Sequence, residues 1–121
     1  MITEDVILDF AASSIASIWA LELLLILKHE SRALAVPEMI RRLRSSEAAV
    51  GEALARLMSA GLLIETGGNY AYEPASLDLV ELVNELEKLY GTKPVAVISA
   101  IANAPGRKLQ ILSDAFKLKK E

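Results

Sequence analysis

Apolar residues recur along the chain mostly at helical spacing. Val6, Ile7 and Phe10 form one side of a short stretch that Thr3 can cap and whose first turn holds Glu4 and Asp5, predicting a lead-in helix over residues 3–11. A longer helix is predicted from about Ser14 to about His29. Ile15, Ile18, Trp19, Glu22 and Ile26 share one sector of it, while Leu23, Leu24 and Leu27 widen the apolar surface to most of the circumference. A helix apolar nearly all round must be covered on several sides. Ser31 to Ala35 reads as a short extended connection, and Pro37 suits the first turn of the next helix. That helix carries Met39, Ile40 and Leu43 on one side and Arg41, Arg42 and Arg44 on the other. Ser45 and Ser46 interrupt it, and either can cap the helix that follows. There, Val50, Leu54 and Leu57 fall at i, i+4 and i+7, with Ala53 and Met58 beside them. Gly61 stands where a C-cap glycine belongs, since a positive φ costs it no Cβ clash.

Leu62-Leu63-Ile64 and Tyr70-Ala71-Tyr72 then flank Thr66-Gly67-Gly68-Asn69, a hairpin signal. Pro74 stops the second strand and Ser76 caps a new helix. In it Leu79, Val83, Leu86 and Tyr90 follow 4-3-4 spacing, with Leu82 and Leu89 alongside, opposite Asp78, Glu81, Glu85 and Lys88. Gly91 is predicted to end it. Thr92-Lys93-Pro94 opens another helix, and residues 94–104 carry no charge; Ala96, Ser99, Ala100 and Ala102 permit close helix contact. After Pro105-Gly106, Leu109, Leu112, Ala115 and Phe116 predict a last amphipathic helix that frays through Lys117, Lys119 and Lys120.

The order helix, turn, helix and glycine-tipped hairpin occupies Val36–Tyr72. Its most specific piece is S-x-x-x-V-x-x-x-L-x-x-L-x-x-x-G-L-L, from Ser46 to Leu63, running into Tyr70 and Tyr72. This stretch resembles the winged-helix domains of bacterial transcriptional regulators, broadly the MarR and ArsR type. The resemblance implies a mainly α fold with a small β-hairpin wing (α+β): a winged helix-turn-helix with N- and C-terminal helical extensions. Its core would span about 14–74 and its C-terminal extension about 76–118, within the single domain 1–121 that the length favours. It also implies that the outward face of the second helix enters the major groove while the wing touches the neighbouring backbone. MarR-like proteins form two-fold dimers through helices before and after the core. Long apolar helices stand in both places here, so a homodimer through the N- and C-terminal helices is expected.

With 53% hydrophobic residues the chain is well able to form a core. It has no cysteine, which removes disulfides, zinc-thiolate sites and cysteine catalysis, and a cytoplasmic setting is expected. Phe10 to Leu27 is an 18-residue run whose single charge is Glu22. That charge, Ser13, Ser14 and Ser17, and the acids ahead of the run favour a buried helix over a membrane span or signal peptide. The formal charge of −3 is more acidic than a dedicated nucleic-acid binder usually shows. The charge is segregated, however. Residues 28–44 hold five basic side chains against Glu30 and Glu38, and residues 65–90 hold six acids against Lys88.

Catalytic chemistry has little to work with. His29 is the sole histidine and lies at a helix end, where it suits the negative pole. There is no HExxH, CxxC, GxGxxG or phosphate loop. Glu81 and Glu85 lie one turn apart, but a solvated pair is expected rather than a metal site. No enzyme activity, metal or cofactor is expected. For duplex DNA the candidate contacts are Arg32, Arg41, Arg42, Arg44, Ser45, Ser46, Arg56 and Asn69. Glu47, Ala48, Gly51, Glu52 and Ala55 share the groove-facing side, where only Arg56 can make a bidentate guanine contact. The wing tip lacks Arg and Lys. Two readings therefore stand: a dimeric regulator binding DNA mainly through its backbone, or a winged-helix protein–protein interaction module that has lost DNA binding. The alternative to phosphate contact by the arginines is that Arg41 and Arg44 pair with Glu38, Glu47 or the acidic C-terminal helix. A weaker expectation is a ligand pocket between the first long helix and the C-terminal helices, with Trp19 and Tyr90 on its wall.

Overall fold

The computed structural model describes residues 2–103. Helix α1, Glu4–Phe10, opens at Thr3, whose side chain accepts from the Val6 amide at 3.3 Å. It passes into one π-helical turn, Ala11–Ile15, and stops at Ala16. Ala16 is left-handed, with φ 62, and its N–H donates to the Ala11 carbonyl at 2.8 Å. Ser17 is extended, and its hydroxyl accepts from the Ala20 amide at 3.0 Å, opening helix α2, Ile18–Lys28. The helix predicted from about Ser14 to His29 is thus corrected. Residues 4–15 and 18–28 form two helical segments meeting at 101°. The apolar run continues across the break, so periodicity does not register it; Ser17 is the local signal, and no glycine marks the turn. Folding back lets Ile7, Phe10, Ala11 and Ile15 share one core with Ala20, Leu21, Leu23, Leu24 and Leu27. Among the described residues no single helix is long and apolar enough to cross a membrane.

The central unit follows. Strand β1, Leu34–Ala35, leads into α3, Val36–Leu43, with Pro37 in its first turn. Helix α4, Glu47–Ser59, is capped by Ser46, whose hydroxyl accepts from the Ala49 amide at 3.1 Å. At its other end the N–H groups of Gly61 and Leu62 donate to the carbonyls of Met58 and Leu57, at 3.0 and 3.1 Å. This double closure needs a left-handed residue, and Gly61, with φ 74, supplies it. Strands β2, Leu63–Thr66, and β3, Asn69–Tyr72, form the hairpin, and β1 pairs on the far side of β3, giving the antiparallel order β1-β3-β2. Thr66 lies opposite Asn69, so the turn is Gly67-Gly68, both with positive φ, which matches the twist of the two strands. Helix, strand, two helices and a hairpin in this order make a winged helix-turn-helix, mainly α with a small sheet.

Ser76 caps α5, Leu77–Thr92, accepting from the Leu79 amide at 3.2 Å, and α6, Pro94–Ala102, follows. Helix α5 runs one residue past Gly91, where its end was expected. The predicted helix through Leu109, Leu112, Ala115 and Phe116, and the rest of the extension to 118, lie outside the described residues.

The core is centred on α2, which packs against α4, α3, β3 and the π-helical turn. Leu21, Leu23, Leu24 and Leu27 are buried in it. Truncating one such leucine to alanine typically costs about 2–5 kcal/mol of a total of about 5–15 kcal/mol. Polar contacts tie α5 to the same helix. Glu87 accepts from Lys28 Nζ at 2.6 Å and pairs with His29 Nε2, while the Tyr90 hydroxyl donates to Glu22 at 2.7 Å. His29 therefore does more than balance a helix end: it joins two helices.

Partial burial pushes the Glu87 carboxyl up, but the hydrogen bonds from Lys28 and His29 outweigh it and hold the group below the ordinary carboxylate range. A carboxyl lowered by folding contributes stability above its unfolded pKa and loses it as pH falls through the folded value. Glu87→Gln is therefore expected to destabilise the protein at neutral pH, and the difference from wild type to shrink under acid conditions. Urea unfolding at both pH values measures it; a difference that persists in acid contradicts the assignment.

Candidate nucleic-acid interface

Helix α4 divides cleanly. Val50, Ala53, Leu54 and Leu57 are buried, whereas Glu47, Ala48, Gly51, Glu52, Ala55 and Arg56 are exposed. Among the described residues, none of the terminal helices covers this outward side. Beside its C-terminal half stands the π-helical turn, and Ser13 and Ser14 line with Glu52, Ala55, Arg56 and Ser59 an open cleft of about 630 Å³. This polar cleft differs in place and lining from the pocket anticipated around Trp19 and Tyr90. The Tyr90 hydroxyl is occupied by Glu22, and Trp19 is 44% exposed.

The arginines fall into two groups. Arg32 holds Glu38 through both terminal nitrogens, at 3.3 and 2.9 Å, with its Nε 3.8 Å from Glu30. Arg42 donates to Glu30 at 2.7 Å and lies 3.1 Å from Glu38, one helical turn away. The result is a closed ring of two cations and two anions, joining the segment after α2 to α3. The hydrogen bond from Arg32 is the main cause holding the Glu38 carboxyl low, against burial, and the two acids hold the Arg32 guanidinium more firmly charged. Arg41, Arg44 and Arg56 are exposed and have no carboxylate partner among the described residues. The expected pairing of Arg41 and Arg44 with Glu38, Glu47 or the C-terminal helix is therefore corrected: Glu38 pairs with Arg32 and Arg42. The i, i+4 spacing of Glu38 and Arg42 was legible. The role of Glu30, across a turn of chain, was not.

Arg44 has φ 53 at the C-cap of α3, where its N–H donates to the Arg41 carbonyl at 3.3 Å. This conformation suits glycine and disfavours a side chain. The exposed cation stands there at a backbone cost. Ser46 spends a lone pair on its cap and keeps a hydroxyl proton to donate, and Ser45 is half-buried. Asn69 is exposed at the start of β3, beside the base-free turn Gly67-Gly68. Arg41, Arg44, Ser46 and Arg56 thus belong to α3, α4 and the turn between them, with Asn69 on the hairpin.

No family model matches the chain. No curated protein matches it either. Among solved structures it is similar to the multiple antibiotic-resistance repressor (MarR) from Listeria monocytogenes 4b F2365. The two share 15% identity with a TM-score of 0.49, over 94% of this chain and 83% of that one.

Arg44→Gly relieves the left-handed strain while loosening the unfolded chain, so unfolding free energy is expected unchanged or raised by up to about 1 kcal/mol. A thermal or urea melt reads it directly. A clear destabilisation would show that the Arg44 side chain supports the fold.

Proposed function

We propose that this protein is a winged-helix transcriptional regulator that binds duplex DNA as a homodimer, mainly through backbone contacts, in the cytoplasm. One observation carries the reading: among the described residues the outward side of α4 is open, Arg41 and Arg44 at the end of α3 that leads into it have no carboxylate partner, and Arg56 is exposed on it. Guanidinium groups are well shaped to grip phosphate oxygens. Arg56 is the candidate for direct guanine contact, and Ser46 and Asn69 can donate to the backbone. Phosphate contacts carry no sequence information, so Arg41→Ala is expected to weaken binding about equally on unrelated duplexes. Arg44→Gly should do the same without loss of stability. About three contacts per copy, about six for a two-fold pair, give a log–log salt slope near −5. Gel shifts at low salt test this, and no retardation of any genomic fragment removes the reading.

The dimer is supported by apolar surface at the terminal helices. Helix α6 buries Val97 and Ile101 but exposes Val95 (74%) and Ile98 (41%), and Val6 of neighbouring α1 is 47% exposed. Val95→Glu with Ile98→Glu leaves the buried side of α6 intact, so a folded monomer is expected. Sedimentation of wild type and variant checks it; a wild-type monomer would refute the dimer.

Glu47 and Glu52 on α4 and the uncharged hairpin tip favour the second reading, an interaction module. Tyr70 and Tyr72 are half-buried against the core, and the Tyr72 hydroxyl is enclosed. Exposed Met58 and Ile64 offer such a partner apolar anchors.

A further inference from the structure

Among the described residues, Arg32 and Arg42 differ from the other arginines in having both terminal nitrogens engaged by acids. The acids lie deeper than the cations: the Glu30 and Glu38 side chains are 19% and 21% exposed, against 58% and 39% for Arg32 and Arg42. A phosphate approaching from solvent would have to take over a terminal N–H that already serves a carboxylate. The ring is neutral, so exchanging one anion for another there releases few counterions from DNA. We propose that Glu30 and Glu38 form a built-in anion that withholds Arg32 and Arg42 from DNA and so sets the affinity for duplex. This rests on the DNA-binding reading above and adds a restraint to it. Arg32 and Arg42, on this inference, belong to a reserve that opens only when the carboxylates are neutralised or displaced.

The test uses the full chain, a labelled duplex of arbitrary sequence and a salt titration followed by fluorescence anisotropy. Glu30→Gln with Glu38→Gln keeps the side-chain shapes and removes the charges. It is expected to bind at least about tenfold tighter at low salt, with a log–log slope steeper by about 2–4 for a pair of copies. Asp78→Asn with Glu81→Gln removes the same charge from α5 and controls for net charge; its slope is expected to match wild type. Adding Arg32→Ala and Arg42→Ala to the Gln pair should erase the gain. Equal or weaker binding by a folded Gln pair overturns the proposal, because the acids would then be orienting the arginines. A gain matched by the α5 control overturns it too. If neither wild type nor the Gln pair binds duplex, the DNA-binding reading falls and takes this inference with it. Should the Gln pair fail to fold, Glu30→Gln alone, which frees the 2.7 Å contact of Arg42, is expected to give about half the slope change.

Discussion

Helix α2 sets the problem that the rest of the molecule solves. Five of its eleven residues, Ala20, Leu21, Leu23, Leu24 and Leu27, are buried, and together they span nearly half the circumference of the helix. No single partner could cover them. The chain answers with α4 and α3 on one flank, β3 on another, and the π-helical turn folded back by the 101° bend. Because α4 spends Val50, Ala53, Leu54 and Leu57 on this cover, its opposite side faces outward. The availability of that surface follows from the burial of α2.

The polar segment after α2 adds a second organising feature. Between residues 28 and 32, successive side chains reach different neighbours. Lys28 and His29 hold Glu87 of α5, while Glu30 and Arg32 engage Arg42 and Glu38 of α3. One short charged stretch therefore joins the C-terminal extension to the helix that carries the candidate phosphate contacts. It also separates the arginines: two are folded into a neutral ring, and three are left to solvent among the described residues. A count of basic residues treats all five alike. Geometry does not.

Much of the architecture was legible along the chain because local chemistry dictated it. Thr3 and Ser76 cap the helices they were expected to cap, and of the two candidates Ser45 and Ser46 it is Ser46 that caps α4, each with an oxygen on a free amide. Gly61 closes α4, and Gly67-Gly68 turns the hairpin, since positive φ at those points favours glycine. Helical spacing in α4 and α5 predicted the buried Val50, Ala53, Leu54, Leu57, Val83 and Leu86, whereas Met58, placed beside the α4 stripe, is exposed. The break at Ala16 was not legible, since nothing in alanine announces a left-handed backbone.

What the sequence determined by itself, then, is whatever depends on neighbours within a few residues: caps, turns and periodic faces. The tertiary structure decided the bend that brings α1 onto the core, the closure of α5 on α2 through Glu87, and the division of the arginines. Each depends on groups that meet only after the chain has folded back. Ion pairing falls off within a few ångströms, and no one-dimensional pattern records which charges those few ångströms will join.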